Sequence, residues 1–267
     1  MNVAEIVTSK IIEQLQQGTI PWQKPWHGSP AINYITRKPY QGINVLLLGR
    51  GGEFATWNQI KELNGLIKKG SESSMVVYYN TRKVMTDNEE EKSIPFMRYY
   101  RVFHLSDIEG IESKIPVNTF DPLEQAEQII PNYSTCPEII EDNNRAWYSP
   151  SKDQIGIPKM GQFKTVEEYY STLWHEAIHS TGHTSRLNRF SAGQEQAAFG
   201  SENYSKEELI AEIGSAMLCC YCGIEKTIEN SASYIASWLK VLKNDNNFVI
   251  QASSKAQKAY DYILNNN

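Results

Sequence analysis

The sequence predicts an α+β protein of two domains, and three observations carry that expectation. The first half mixes helical periodicity with two strand-like runs, VVYYNTRKV and SIPFMRYYRVFHL, whereas the second half is mainly a succession of helical patterns. Charge divides in the same way: residues 1–85 hold 10 Lys+Arg against 5 Asp+Glu, a balance of +5, so the rest of a chain that is −5 overall carries −10. Halves of opposite sign point to halves with different partners. At 267 residues, 40% apolar and 21% charged, the chain has the length and composition to bury a sizeable core.

From the N-terminus, MNVAEIVTSKIIEQLQQ spaces its apolar residues as a helix over about 3–17, without the basic start and apolar block of a signal peptide. No apolar run approaches the roughly 20 residues that span a bilayer. A cytoplasmic protein with no membrane partner is expected. TWNQIKELNGLIKKG predicts a second helix, with Thr56 as its cap and Gly70 as its terminator. The two strand-like runs flank an acidic loop, DNEEEK at 87–92, and predict an antiparallel hairpin whose register the imperfect alternation leaves open. Residues 113–146 contain Pro116, Pro122, Pro131 and Pro137 and read as a connection with one short helix. The boundary falls near 125, giving domains of 1–125 and 126–267, with 126–146 as the connecting segment.

In the second domain, WYSPSKDQIGIPKM predicts a short strand pair around a turn. Helices follow at about 166–181, 206–222 and 229–243, and KAQKAYDYILN closes the chain. Cys136, Cys219, Cys220 and Cys222 are expected as buried free thiols, because MLCCYCG has neither disulfide geometry nor the paired CxxC elements of a structural zinc site.

The chemistry of this domain starts at HEAIHSTGH, residues 175–183. Its helix opens with Thr165 and Glu168 spaced as a capping box, and Gly182 stands where a left-handed residue would stop it. Val166, Tyr169, Tyr170, Leu173, Ala177 and Ile178 define a buried face. His175 and His179 fall on the other side, one turn and about 6 Å apart along the axis, so both imidazoles reach one cation. Zinc, one ion per chain, suits that pair, and another divalent transition metal would fit the same donors. Glu176, beside the first histidine, is the expected general base in the HExxH pattern.

A third ligand is needed. Metzincin spacing would place it at 185, which is Ser185, so that pattern fails. His183 is left either as a polariser of substrate or as an ordinary polar residue at a helix end. SKEELIAEIGSAMLCC offers Glu208 and Glu212, four apart on one face. In gluzincin-type enzymes the ligand comes from such a later helix and an acidic residue four positions on orients a histidine, which favours Glu208 as ligand and Glu212 behind it. Against this, Ser205 and Glu208 also spell a capping box, which would leave Glu212 as the ligand. Asp153 to Pro158, just before the HExxH helix, is a candidate edge for an extended peptide substrate.

In the first domain Trp22, Trp26, Tyr34 and Tyr40 interleave with Lys24, Arg37 and Lys38, and Trp57, Lys83, Tyr99, Tyr100 and Arg101 follow. Aromatic faces that stack on bases, alternating with cations that meet phosphates, suit single-stranded nucleic acid. Composition alone favours a Trp-rich core with solvated lysines.

The chain resembles the ArdC-type antirestriction proteins of conjugative plasmids and other mobile elements. The matching stretches are PWQKPW, YQGINVLLL, FATWNQIKELNGLIKKG, RYYRVFHLSDIEG, WYSPSKDQIGIP, LWHEAIHSTGHTSRLNRF and EELIAEIGSAMLC, in the family's order over most of the chain. The resemblance implies a single-strand DNA-binding domain joined to a zincin-like metallopeptidase domain that shields incoming DNA from host restriction. His175, Glu176 and His179 carry over directly, and Glu208 and Glu212 carry over as a pair. It also turns the reading of Trp22, Lys24, Trp26, Arg37, Lys38, Tyr40, Trp57, Lys83, Tyr99 and Arg101 from core and surface to DNA contacts. His104 stands where the family's VFN sequence has asparagine. Two alternatives use the same residues: a protein that protects DNA by occupancy with a non-catalytic metal site, and a DNA-localised protease that cleaves a host protein.

Overall fold

The computed structural model of the chain describes residues 2–23, 30–85, 91–115, 121–142, 145–190, 202–224 and 232–265. Helix α1 (Val3–Gln16) starts at a complete capping box: the Asn2 side chain accepts from the Glu5 N–H, and the Glu5 carboxylate accepts from the Asn2 N–H. Its buried Val7, Ile11 and Leu15 join the same apolar cluster as Leu173, Leu209, Trp238 and Ala256, so the first helix of the chain is part of the core of the last helices.

A short 3₁₀ turn, Pro21–Gln23, then inserts Trp22 into that core. Trp22 is fully buried and meets Trp238 edge to face, with ring centroids 5.3 Å apart. It has no open face for a base, so its expected role in DNA stacking is corrected to packing. Trp22→Ala is expected to cost about 3–5 kcal/mol of stability and to leave single-strand affinity of the folded protein unchanged. Denaturant unfolding beside a DNA titration checks both. Lys24 and Trp26 lie outside the described residues.

Strand β1 (Ala31–Asn33), α2 (Ile43–Leu48), β2 (Gly52–Thr56), α3 (Trp57–Glu62), β3 (Leu66–Ile67), β4 (Ser74–Met85), β5 (Glu91–His104) and β6 (Ile108–Glu109) follow. The main sheet runs β1-β2-β5-β4, with β1 parallel to β2 and the other pairs antiparallel. The expected hairpin is β4–β5, in register from Ser74 opposite Val102 to Met85 opposite Glu91. Thr56 caps α3 as expected, in a reciprocal box with Gln59. The helix does not reach Gly70, however. Asn64 adopts a left-handed conformation (φ 57°), and the chain turns there into β3, which pairs with β6. The α2 helix, in the run YQGINVLLL, was not anticipated.

In the second half come α4 (Pro122–Asn132), β7 (Glu138–Glu141), β8 (Trp147–Ser149), β9 (Gln154–Ile157), α5 (Val166–Ser180), α6 (Glu202–Cys222), α7 (Ala232–Asn244) and α8 (Phe248–Ile263). The small sheet has the order β7-β9-β8. The stretch Asp153 to Pro158 therefore contains the central strand, paired on both sides, and cannot be the substrate edge. That edge is β8. Helix α8 begins at Phe248, well before KAQKAYDYILN.

Helix α6 is buried on most of its circumference, with Leu209, Ile210, Ala211, Ile213, Met217 and Leu218 all in the core. It packs closely on α5 because Gly214 has no side chain: a Cβ there would lie 2.7 Å from the Ile178 Cδ1. The four cysteines are free, and burial pushes the Cys220 and Cys222 thiols up to about 12, which keeps them protonated and inert. Among the described residues no helix is long and apolar enough to cross a membrane.

Candidate metal centre

Thr165 caps α5 by accepting from the Glu168 N–H at 3.1 Å, while the Glu168 carboxylate accepts from the Lys164 N–H instead of closing the box on Thr165. At the other end the helix does not stop through a left-handed Gly182, which has no positive φ. Gly182 is needed for contact: a Cβ would come within 2.6 Å of the Phe190 ring.

His175 and His179 project from α5 toward α6. Their Nε2 atoms are 3.1 Å apart, and the Glu208 carboxylate lies 3.4 Å from each, Oε2 toward His175 and Oε1 toward His179. These three side chains form the group of metal-ligand type present among the described residues. Groups bound at about 2.0–2.2 Å around a tetrahedral cation stand about 3.3–3.6 Å from one another, so the donors have nearly the separations that a divalent metal imposes. Two imidazoles and one carboxylate are also the donor types such a cation takes. The residues fit the metal.

The opposite ring nitrogens face carboxylates as well. His175 Nδ1 stands 3.4 Å from Glu212 Oε1, and His179 Nδ1 stands 3.6 Å from Glu207 Oε1. Carboxylates behind ligating histidines fix ring orientation and raise basicity. Glu207 is in turn held by Arg189, whose Nη2 donates at 2.6 Å to the carboxylate and at 2.8 Å to the Ile178 carbonyl. Burial alone would lower the histidine pKa values, but the Glu208 and Glu212 carboxylates facing the ring outweigh it and raise His175 to about 9. His179 rises further above its ordinary value as Glu208 and Glu207 outweigh burial. Against its own burial, which favours the neutral acid, Glu208 is driven well below the carboxylate range by His179 and His175. The centre thus stabilises positive charge at the two facing Nε2 atoms, where a cation would bind.

The Ser205–Glu208 capping box does not form. Helix α6 begins at Glu202, so Ser205 is already inside it and its hydroxyl bonds Ser237. Glu208 is therefore free to face α5. Glu176 lines the same cleft, with burial raising its pKa despite the nearby histidines. His183 does not line the cleft: its Nδ1 faces the Ser185 hydroxyl at 2.8 Å, which favours the second of its two expected roles, a polar residue at a helix end. Sequence reasoning missed Glu207, Arg189 and Tyr148. It also missed Arg186, which donates to the Asp153 carboxylate, the Tyr148 hydroxyl and the Ser180 carbonyl, tying the β8–β9 turn to the end of α5. The cleft has a volume of about 470 Å³, with β8 along one wall and α6 along the other.

The expected DNA residues are scattered. Arg37 is paired with the buried Glu53, which also accepts from the Ser113 hydroxyl and the Lys114 N–H. Lys38 is exposed, Trp57 is 60% exposed, and Tyr40 is half-buried against Phe54. On the hairpin, Lys83 pairs with Glu91, and alternation puts Lys83, Tyr99 and Arg101 on one face. The other face carries a ladder that was not anticipated as a unit. Tyr78 lies 6.4 Å from both Tyr100 and Phe96, and the Arg98 guanidinium sits 5.4 Å from the Phe96 ring centre. His104, at the root of β5, is packed edge-on to Phe54 and bonded to Gly51 and Ser106.

A helix that turns two histidines and a glutamate toward carboxylates of a second helix, beside a small sheet with an open edge, defines a zincin-like metallopeptidase domain. Residues 124–255 match that family, and residues 1–103 match the N-terminal domain of anti-restriction factor ArdC. The crystal structure of the antirestriction ArdC protein from plasmid R388 is similar throughout. Its metal-free form superposes with a TM-score of 0.82 at 34% identity over 100% of this chain and 98% of that one, and its Mn(II)-bound form gives 0.80. The chain belongs to the ArdC antirestriction family. Two DNA primase TraC proteins of Escherichia coli are 34% and 33% identical over 97% of this chain, which spans 20% and 27% of their lengths. Uncharacterized protein y4eC of Sinorhizobium fredii is 30% identical over 98% of this chain and 91% of its own.

Proposed function

We propose that the protein protects incoming DNA from restriction by binding it as a single strand through the β4–β5 hairpin, and that its second half is a metal-dependent peptidase. The observation that carries the peptidase reading is the convergence of His175, His179 and Glu208 on one point beside Glu176. These three side chains would hold zinc or another divalent cation, and the Mn(II) bound by the plasmid R388 protein supports that reading. A cation held there polarises a substrate carbonyl and acidifies a water molecule. Glu176 takes a proton from the water as its oxygen adds to the carbonyl carbon, and returns it to the amine nitrogen as the C–N bond breaks. Strand β8 offers its open edge to an extended peptide, with Trp147 and Tyr148 in the cleft wall.

For DNA, Tyr78, Phe96 and Tyr100 present adjoining rings with Arg98 among them, the combination that stacks bases and neutralises phosphate. Tyr78→Ala with Tyr100→Ala is expected to weaken binding of an oligothymidylate by about 1–3 kcal/mol per stacked base, and Arg98→Gln to reduce the salt dependence. Tyr99→Ala, on the opposite face, decides between the faces: if it alone weakens binding, the path runs over Arg101 and Lys83 instead. The whole reading is tested by survival of unmodified DNA entering a restricting host. Unchanged protection by the doubly substituted hairpin would refute it.

A further inference from the structure

We propose that the cleft over the metal centre selects peptides with an acidic side chain next to the bond at the centre, through a basic rim built from Arg145, Lys206 and Lys255. The proposal rests on the peptidase reading and adds a substrate class to it.

All three cations line the cleft that contains His175, Glu176, His179 and Glu208. They come from three places in the fold. Arg145 lies two positions before β8, at the entrance to the substrate edge. Lys206 is on α6, directly before Glu207 and Glu208, with its ammonium 5.5 Å from the centre of the Phe248 ring. Lys255 is on α8, two turns after Phe248 and so on the same helical face. Lys206, Phe248 and Lys255 form one wall, and Arg145 stands with the β8 wall.

The rim is not a background effect of composition, because residues beyond 85 carry a net −10. Nor is it required to neutralise the acidic floor. Glu207 is matched by Arg189, Glu208 by the two imidazoles, and Glu212 faces His175. Arg145 and Lys255 have no ion-pair partner among the described residues, and both are exposed. Their charges are therefore available to a ligand. The apolar rings of Trp147 and Phe248 beside them lower the local dielectric and strengthen a charge pair with it.

A peptide fits this arrangement better than a nucleic acid strand. The β8 edge offers alternating backbone donors and acceptors that only another polypeptide can use in register.

The test is calorimetric binding to the zinc-loaded full chain, with acetyl-tetraalanine hydroxamates in which each position in turn is Ala, Glu, Gln or Lys. A hydroxamate engages the metal whether or not hydrolysis occurs. At one position Glu is expected to bind at least tenfold more tightly than Gln, with Lys weakest. Arg145→Gln or Lys255→Gln should erase the preference and leave the all-alanine affinity and melting temperature unchanged. Equal affinity of Glu and Gln at every position overturns the acidic selection while leaving the peptide cleft in place. A preference that survives both substitutions overturns the assignment to this rim, and displacement of the all-alanine compound by oligothymidylate assigns the rim to phosphate. No binding by any hydroxamate, with zinc retained, removes the peptidase reading and the proposal together.

Discussion

Glu208→Ala is expected to lower zinc affinity by more than about a hundredfold, while Glu212→Gln weakens it by about 10–100-fold and leaves a loadable site. The difference follows from position. The Glu208 oxygens face the Nε2 atoms of both histidines at 3.4 Å, on the side where those nitrogens converge. Glu212 faces the Nδ1 of His175, behind the ring, where it orients the imidazole. Removing Glu208 takes away a donor and leaves two facing imidazoles with no carboxylate between them. Removing the charge of Glu212 frees one ring to rotate. Equilibrium dialysis against a zinc chelator, with His175→Ala and His179→Ala as references, measures both. If Glu212→Gln proved the more damaging, the ligand would be Glu212 and the arrangement of α6 would have to differ from the one described.

The contrast between these two glutamates shows where the sequence was readable. HEAIHSTGH is local: a helical repeat places His175 and His179 together whatever surrounds them, so that pair was legible. The choice between Glu208 and Glu212 was not, because it depended on where α6 begins. Ser205 looked like a cap, yet its hydroxyl meets Ser237 on α7, a contact between helices that no spacing encodes. Glu207 and Arg189 are linked in the same way, across 18 positions. Trp22 was misread for a related reason. An aromatic residue among lysines has the same local pattern in a DNA platform and in a core, and the discriminator is Trp238, far along the chain. The fold class survived such errors because it depends on periodicity summed over whole segments. Individual boundaries did not, as α3 shows: one left-handed Asn64 ends a helix that the apolar pattern would have continued to Gly70.

The same geometry predicts that Glu176→Gln separates metal binding from chemistry. Glu176 is not among the three converging donors, and the amide has nearly the volume of the acid, so zinc content and melting temperature should match the wild type. What the amide lacks is the capacity to take a proton. Burial in the cleft raises the pKa of the Glu176 carboxylate, which makes it a stronger base than an exposed glutamate. Loss of a positioned general base lowers rate by about 10²–10⁴-fold, so hydrolysis of an acidic fluorogenic peptide should fall by that factor at unchanged zinc occupancy. In cells the variant also divides the competing accounts. If protection of unmodified DNA disappears with zinc and DNA binding intact, proteolysis is part of the protection. If the hairpin substitutions abolish protection and Glu176→Gln does not, the protein acts by occupying the strand, and the centre then holds its metal for a purpose other than shielding DNA.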